Sequence, residues 1–442
     1  MGADHSHGPA VPASRGAVIA TLAVIVPLAL ATLAALVWLW PGDSAGAVPE
    51  AGPAPERVTG TIAAITLKPC QEEPPPDGQT PGQQPMPDPA TCGDAAVELT
   101  GGPQQGESIT VALPSGPGAQ VFSAGDDIVL LHTPGDEKLG ASPYQISDHD
   151  RSLPLGLLGA AFALAVIAFG RWRGVSALAG LAITFVLLLM FVIPAILEGH
   201  QPLLVAVVGA AAIMLTVLYL THGFSVRTSM AVMGTLLSLS LTGVLALAAI
   251  GIAHLNGITD ESSFNLDMSL QINTQGLLLA SIIIGSLGVL DDVTVTQAVT
   301  VAELAHANPG YSVRQLYRAG ARVGRAHIAS VINTIILAYA GASLPLLLLI
   351  SVGRQPLGEI VNTPVIVQEI VRSVVGTIGL IAAVPITTAL AAFTATRRAA
   401  GTDHHETGHD ESGHDRHVPR SARHRRTGYG RARGNGELTR GP

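Results

Sequence analysis

The feature that most constrains this chain is the grouping of its apolar residues into eight long blocks. They run over residues 17–40, 153–170, 174–197, 202–220, 229–253, 276–298, 326–352 and 365–395, each 18 residues or longer. A helix rises about 1.5 Å per residue, so such blocks span a hydrocarbon layer of roughly 30 Å. Backbone polar groups have no water to bond to in lipid, so an apolar block of this length is expected to be helical. Charged residues are only 13% of the chain and hydrophobic ones 48%, against roughly a quarter charged in a soluble protein. The expected fold is an α-helical polytopic membrane protein of about eight transmembrane helices.

Between the first two blocks the chain changes character. Residues 1–16 are polar and form an expected cytoplasmic tail. Block 17–40 is too long for an ordinary signal-peptide core, and no A-x-A cleavage site follows it, so it reads as a retained helix. Trp38 and Trp40 close it as interfacial aromatics do, and Pro27 is a candidate kink. Residues 41–152 hold three short strand-like runs, 58–67, 107–113 and 121–133, separated by Gly and Pro. They predict a small β-rich extracytoplasmic domain. Its Pro-rich insert, 71–91, suits neither strand nor helix. Cys70 and Cys92 flank that insert and are the two cysteines of the chain. Outside the cytoplasm they can pair, closing a loop worth roughly 3 kcal/mol of chain entropy.

Arginine placement predicts orientation. Arg171 and Arg173 share one loop, Arg227 lies in another, Arg314, Arg318, Arg322 and Arg325 lie in a third, and Arg397 and Arg398 open the tail. The alternate loops, 198–201, 260–267 and 353–364, are short or acidic. The positive-inside rule then places both termini in the cytoplasm and residues 41–152 outside it. Residues 153–396 form the seven-helix bundle, and 397–442 a disordered tail rich in His and Arg. Only Lys68 and Lys138 are lysine among 24 basic residues, a bias that points to a GC-rich bacterial genome and hence to a bacterial plasma membrane. Beyond the Arg-rich tail nothing suggests nucleic acid binding.

Within the bundle the informative segment is GLLLASIIIGSLGVLDDVTVTQAVTVAELA, residues 276–305. At about 100° per residue, Ser281, Gly285, Gly288, Thr296 and Glu303 all fall within about 40° of Asp292. Asp291 points about 100° away and Gln297 about 140° away. A carboxylate at the centre of a span costs roughly 2.5–3.5 kcal/mol on insertion scales, and less toward the interface. Three readings are open: a cation or proton site at Asp292 with Asp291, Thr296 and Glu303, a solvated helix end, or structural pairing with Arg318, Arg322 or Arg325. The first makes Ser281, Gly285, Gly288 and Asn333 further path residues.

Other polar groups carry less chemistry. Asn333 serves helix packing or a ligand. Glu369 and Arg372, three apart, are placed to pair on one helix face as a structural ion pair, with Gly376, Gly379 and Ala383 continuing that side as a small-residue seam. Gly234, Ser238 and Thr242, four apart, read as small-residue packing. The tail DHHETGHDESGHDRH contains His404, His405, His409, His414 and His417, weak metal candidates at irregular spacing. No P-loop, G-x-S-x-G or H-E-x-x-H motif is present, and the sequence requires no cofactor.

The order of these features resembles the YibE/F-like family of bacterial multi-pass membrane proteins, over about Val58 to Thr396. The resemblance is carried by GDDIVLLHTPG (125–135), the run Asp148–Arg151, GRWRGVSAL (170–178) and IPAILEGH (193–200). It continues through IIIGSLGVLDDVTVTQAVTVAEL (282–304), RAGARVGRAHIASVINTIILAYAGASLPLLLL (318–349) and EIVRSVVGTIGLIAAVPITT (369–388). It implies a polytopic protein with an amino-terminal β-rich part, and no particular activity.

Two functions follow as expectations. The first is a transporter or channel for an ion or small solute, with an intramembrane acidic site. The alternative is a non-transporting scaffold or sensor whose outer domain binds a partner. An enzyme is not expected. The expected partners are the lipid bilayer, a small ion or solute, and a second copy of the chain.

Overall fold

A computed structural model describes residues 15–42, 56–70, 88–116, 118–133, 142–259, 261–352 and 356–402. Helix α1 (Arg15–Trp38) precedes five strands: β1 (Glu56–Leu67), β2 (Gly93–Leu99), β3 (Ser108–Ala112), β4 (Asp127–His132) and β5 (Tyr144–His149). Helices α2 (Ser152–Gly170), α3 (Trp172–Leu187), α4 (Ile193–Leu197), α5 (Pro202–His222) and α6 (Val226–Ile252) follow. The chain continues as α7 (Glu261–Leu270), α8 (Thr274–Ala307), α9 (Val313–Ala342), α10 (Leu344–Val352), α11 (Leu357–Val361) and α12 (Pro364–Thr402). A π-helical turn, Leu188–Val192, joins α3 to α4, so Trp172–Leu197 is one rod. Among the described residues eight helices are long and apolar enough to cross a membrane: α1, α2, the α3–α4 rod, α5, α6, α8, α9 and α12.

The strands form one antiparallel sheet in the order β3-β2-β1-β4-β5. Strand β1 sits centrally because it is long enough to pair along both edges, with β2 over Gly60–Leu67 and with β4 over Glu56–Thr61. One face is packed: Val58, Ile62, Val97, Leu99, Ile128, Leu130, Tyr144 and Ile146 are all buried. Gly60 has no room for a side chain, since a Cβ would lie 2.6 Å from Val97 Cγ1. A disulfide joins Cys70 to Cys92, Cα atoms 5.2 Å apart, just beyond the last β1–β2 pair, Leu67 with Gly93. Lys68 and Asp94 pair beside it.

Several expected boundaries shift. Strands β2 and β5 are additional to the three predicted, because GDAAVEL and YQISDH are too polar for their alternation to stand out. Residues 121–126 are not strand. The predicted loop 260–267 folds largely as α7. The block 326–352 is two helices. A capping box at Ser312, where Gln315 N–H donates to the Ser312 hydroxyl and the Gln315 side chain accepts from Ser312 N–H, starts α9 thirteen residues earlier. Leu344-Pro345 interrupts it after Ala342, since proline lacks the amide that would continue the ladder. Arg314, Arg318, Arg322 and Arg325 therefore lie on a helix and not in a loop. Helix α12 continues through 397–402, the first residues of the expected tail.

The bundle core holds Met214 and Leu218 of α5, Val232 and Leu239 of α6, Ile283, Leu287 and Leu290 of α8, and Leu380 and Val384 of α12. Helices α2 and α3 are joined by Arg171 alone, at φ 52°. Gly174 permits the tight return, because a Cβ there would meet Val166 O at 2.3 Å. Residues 400–442 are a separate unit whose His404, His405, His409, His414 and His417 lie outside the described residues.

Candidate functional site

Helix α8 positions most of the predicted residues, and its two sides differ. The buried side carries Ile283, Ser286, Leu287, Leu290, Val293, Thr294, Gln297 and Val301. Ser286 returns its hydroxyl to Ile283 O of the same helix at 3.0 Å, while Thr294 and Gln297 are satisfied by neighbouring helices. Thr294 and Thr235 of α6 share a hydroxyl hydrogen bond of 2.6 Å, fully buried. Gln297 donates to Gly320 O of α9 at 2.9 Å and to Thr388 Oγ1 of α12 at 2.7 Å. Gly320 and Gly324, one turn apart, form the recess. A Cβ at Gly324 would stand 2.7 Å from Gln297 Oε1, and one at Gly320 2.8 Å from Val301 Cγ2. One amide thus ties three helices together. Periodicity could have placed Gln297 opposite Asp292, but not shown that glycines of a later helix receive it.

The stripe centred on Asp292 is turned outward. Asp292, Thr296, Gly285 and Gly288 are exposed, and nothing lies within 4 Å of a Cβ built at Gly288. Gly285 looks toward Tyr339, 3.7 Å from its hydroxyl. Glu303 does not join Asp292. It pairs with Arg227 at the start of α6, Oε1 to Nη1 3.2 Å, with both side chains well exposed. Of the arginines weighed as partners for the carboxylates, none forms that contact among the described residues. Asn333 is exposed on α9.

Asp291 is placed differently from its neighbour. It is half-buried, and its Oδ1 is enclosed with no hydrogen-bond partner among the described residues. The adjacent Thr294 hydroxyl is committed elsewhere: it bonds Thr235 and the Asp291 carbonyl. A carboxylate oxygen removed from water without a donor is costly, so this atom is a ready acceptor for a proton or a cation.

A second polar contact crosses from α8 to α12. Glu369 Oε1 and Arg372 Nη1 pair at 2.6 Å, both side chains under a third exposed. Arg372 Nη2 also reaches Ser281 Oγ at 3.4 Å. Ser281 therefore belongs to this ionic cluster as much as to the Asp292 face. No group of three or more His, Cys, Asp or Glu among the described residues is arranged to hold a metal ion.

No curated protein and no solved structure matches the chain. The profile of the family described as YibE/F-like protein matches residues 158–397, from within α2 to the end of the bundle. That match covers more than half of the chain, and with eight apolar helices it indicates a membrane protein: the chain belongs to the YibE/F-like protein family.

Proposed function

We propose that the chain moves an ion or small solute across the bacterial plasma membrane, with Asp291 as the carboxylate that takes the cation or proton. Both termini are then cytoplasmic and the sheet lies outside. The observation that carries this reading is the enclosed, unpartnered Oδ1 of Asp291 inside a helix long and apolar enough to cross the bilayer. Ionisable groups at such depth are costly and mark ion or proton pathways. Asp292, exposed one residue on, supplies a second negative charge at the rim and attracts the same cation.

The test is flux into proteoliposomes loaded in turn with protons, monovalent cations and divalent metals. Asp291→Asn keeps the shape and removes the charge, and is expected to abolish flux of the active species. Asp292→Asn is expected to slow it several-fold. Flux that is unchanged in Asp291→Asn would sink the assignment.

A further inference from the structure

Four arginines on one side of α9 have a use that neither the acidic site nor the packing absorbs. Arg314, Arg318, Arg322 and Arg325 fall within about 80° of one another on the helix, and all four are exposed. None forms an ion pair with a described residue, whereas the part-buried Arg227 does. The opposite side of α9 is anchored: Leu316 is fully buried with Val301, Ala391 and Ala392.

Beside that anchor lies an open cavity of about 540 Å³ between α9 and α12. Arg314, Tyr317 and Arg318 line one wall, and Ala389, Leu390 and Phe393 the other. Phe393 is 51% exposed, an aromatic facing outward beside two cationic side chains. The arginines belong to the first turns of α9 and the apolar wall to the last turns of α12's span, which ends at Ala395. The cavity is therefore at the level where both helices leave the apolar layer, on the Arg-rich side.

We infer that this cavity is a binding site for an anionic phospholipid of the cytoplasmic leaflet. Arg314 and Arg318, one turn apart, hold the phosphate, and guanidinium forks suit phosphate oxygens. Leu390, Phe393 and Val313 receive the upper acyl chains, whose remainder continues into the bilayer. Tyr317 sits at headgroup depth, where aromatic rings with a polar tip are favoured. A soluble anion needs the arginines but leaves the apolar wall unexplained. Basic clusters just inside a membrane draw anionic lipid in the same way. The inference rests on the bundle lying in a bilayer and not on the role of Asp291.

The experiment is native mass spectrometry of the full chain in mild detergent, titrated with phosphatidylglycerol or with phosphatidylcholine of the same acyl chains. The parent is expected to retain phosphatidylglycerol selectively. R314Q/R318Q is expected to bind it about tenfold or more weakly, with phosphatidylcholine unchanged. R314K/R318K, which keeps both charges but loses the fork, is expected to bind between the parent and R314Q/R318Q. Leu390→Trp fills the groove while leaving both arginines, and is expected to displace the lipid at unchanged melting temperature. Equal binding of the two lipids, undiminished binding in R314Q/R318Q or Leu390→Trp, or displacement by inorganic phosphate would overturn the site. Any of these with the chain still in carbonate-washed membranes rejects the lipid site and leaves the membrane reading standing. Recovery in the soluble fraction rejects both.

Discussion

At the scale of single residues, the joint between β5 and α2 is held by carboxylates whose acidity the fold alters. Asp148 accepts from Arg151 Nη1 at 2.8 Å and from the His149 amide at 2.8 Å. The Arg151 contact first, and the amide second, hold its pKa down from 3.8 to about 2. Asp150 accepts the Ser152 amide at 2.9 Å, which lowers its pKa as well and gives the first amide of α2 a partner. A depressed folded pKa means stability that is present above about pH 4 and lost as the pH falls from there toward 2. Asp148→Asn is expected to melt slightly below the parent at neutral pH, the difference closing as pH drops through that window. A gap that stays constant with pH would assign the effect to something other than this charge. The effect is small because both side chains are about half exposed. The same scale shows the limit of reading a helix by periodicity. Spacing grouped Asp292 with Ser281 and Thr296, and separated Asp291 from them, but spacing has no sign. Which side faces the bundle depends on where Thr235, Gly320 and Gly324 arrive, and those are contacts with other elements.

At the scale of elements, α6 and α12 lock through two reciprocal contacts. Gly234 of α6 faces Thr387 of α12, and Gly379 of α12 faces Thr242 of α6. Glycine and threonine are eight residues apart on each helix, so the two run antiparallel with one register satisfying both contacts. A Cβ at Gly379 would stand 1.9 Å from Thr242 Oγ1, and one at Gly234 2.3 Å from Thr387 Oγ1. Thr242, Ser238 and Thr235 each return their hydroxyl to a carbonyl one turn earlier, at 2.7–3.0 Å, so the α6 side of the seam is satisfied, whereas Thr387 Oγ1 on α12 is buried with no hydrogen-bond partner among the described residues. Gly379→Ala is expected to destabilise the folded protein in detergent by about 1–3 kcal/mol through overpacking. Thr242→Ala removes the opposing hydroxyl, and the double variant is expected to recover part of that loss. Additive losses in the thermal melts would show that the residues do not oppose each other. Both seams were legible as small-residue stripes in sequence, Gly234 to Thr242 and Gly376 to Ala383. Their pairing was not, because a stripe specifies a close neighbour without identifying it. Other elements were hidden by their own composition. The start of α9 is polar, so hydropathy assigned its arginines to a loop, although Ser312 and Gln315 carried the capping signal. In β2 the alternation of Ala95, Val97 and Leu99 with Asp94 and Glu98 is weakened because two of its positions are only alanine, and in β5 a register shift between Ile146 and Asp148 breaks it.

At the scale of the whole molecule, three independent features bear on topology, and one measurement joins them. Eight crossings, the number of helices long and apolar enough among the described residues, would put the two ends of the chain on one side and the sheet after α1 on the other. The Cys70–Cys92 disulfide persists only in an oxidising compartment, which a cytoplasmic sheet would not provide. Arg15, Arg171, Arg173 and Arg227 at helix ends, and the arginines in the first half of α9, all lie toward the side that the same parity would assign to the cytoplasm. If any one helix failed to cross, the parity beyond it would invert and these features would contradict one another. Helix α2 is the sharpest case, because none of its residues is buried within the chain and it packs on α3 through a one-residue turn. Because the native cysteines are bonded, a single added cysteine reports alone. Gln105→Cys, in the exposed turn between β2 and β3, is expected to react with an impermeant maleimide in intact cells. Gly310→Cys, exposed between α8 and α9, is expected to react only after the membrane is opened. Five helices separate the two probes beyond α1, namely α2, the α3–α4 rod, α5, α6 and α8, so their opposite labelling requires an odd number of crossings between them. Labelling of both from outside would mean that one of those five does not span. Labelling of Gly310→Cys alone would mean that α1 does not carry the sheet out, and labelling of neither that one of those five also fails to span; in both cases the disulfide would be expected to be reduced in cells.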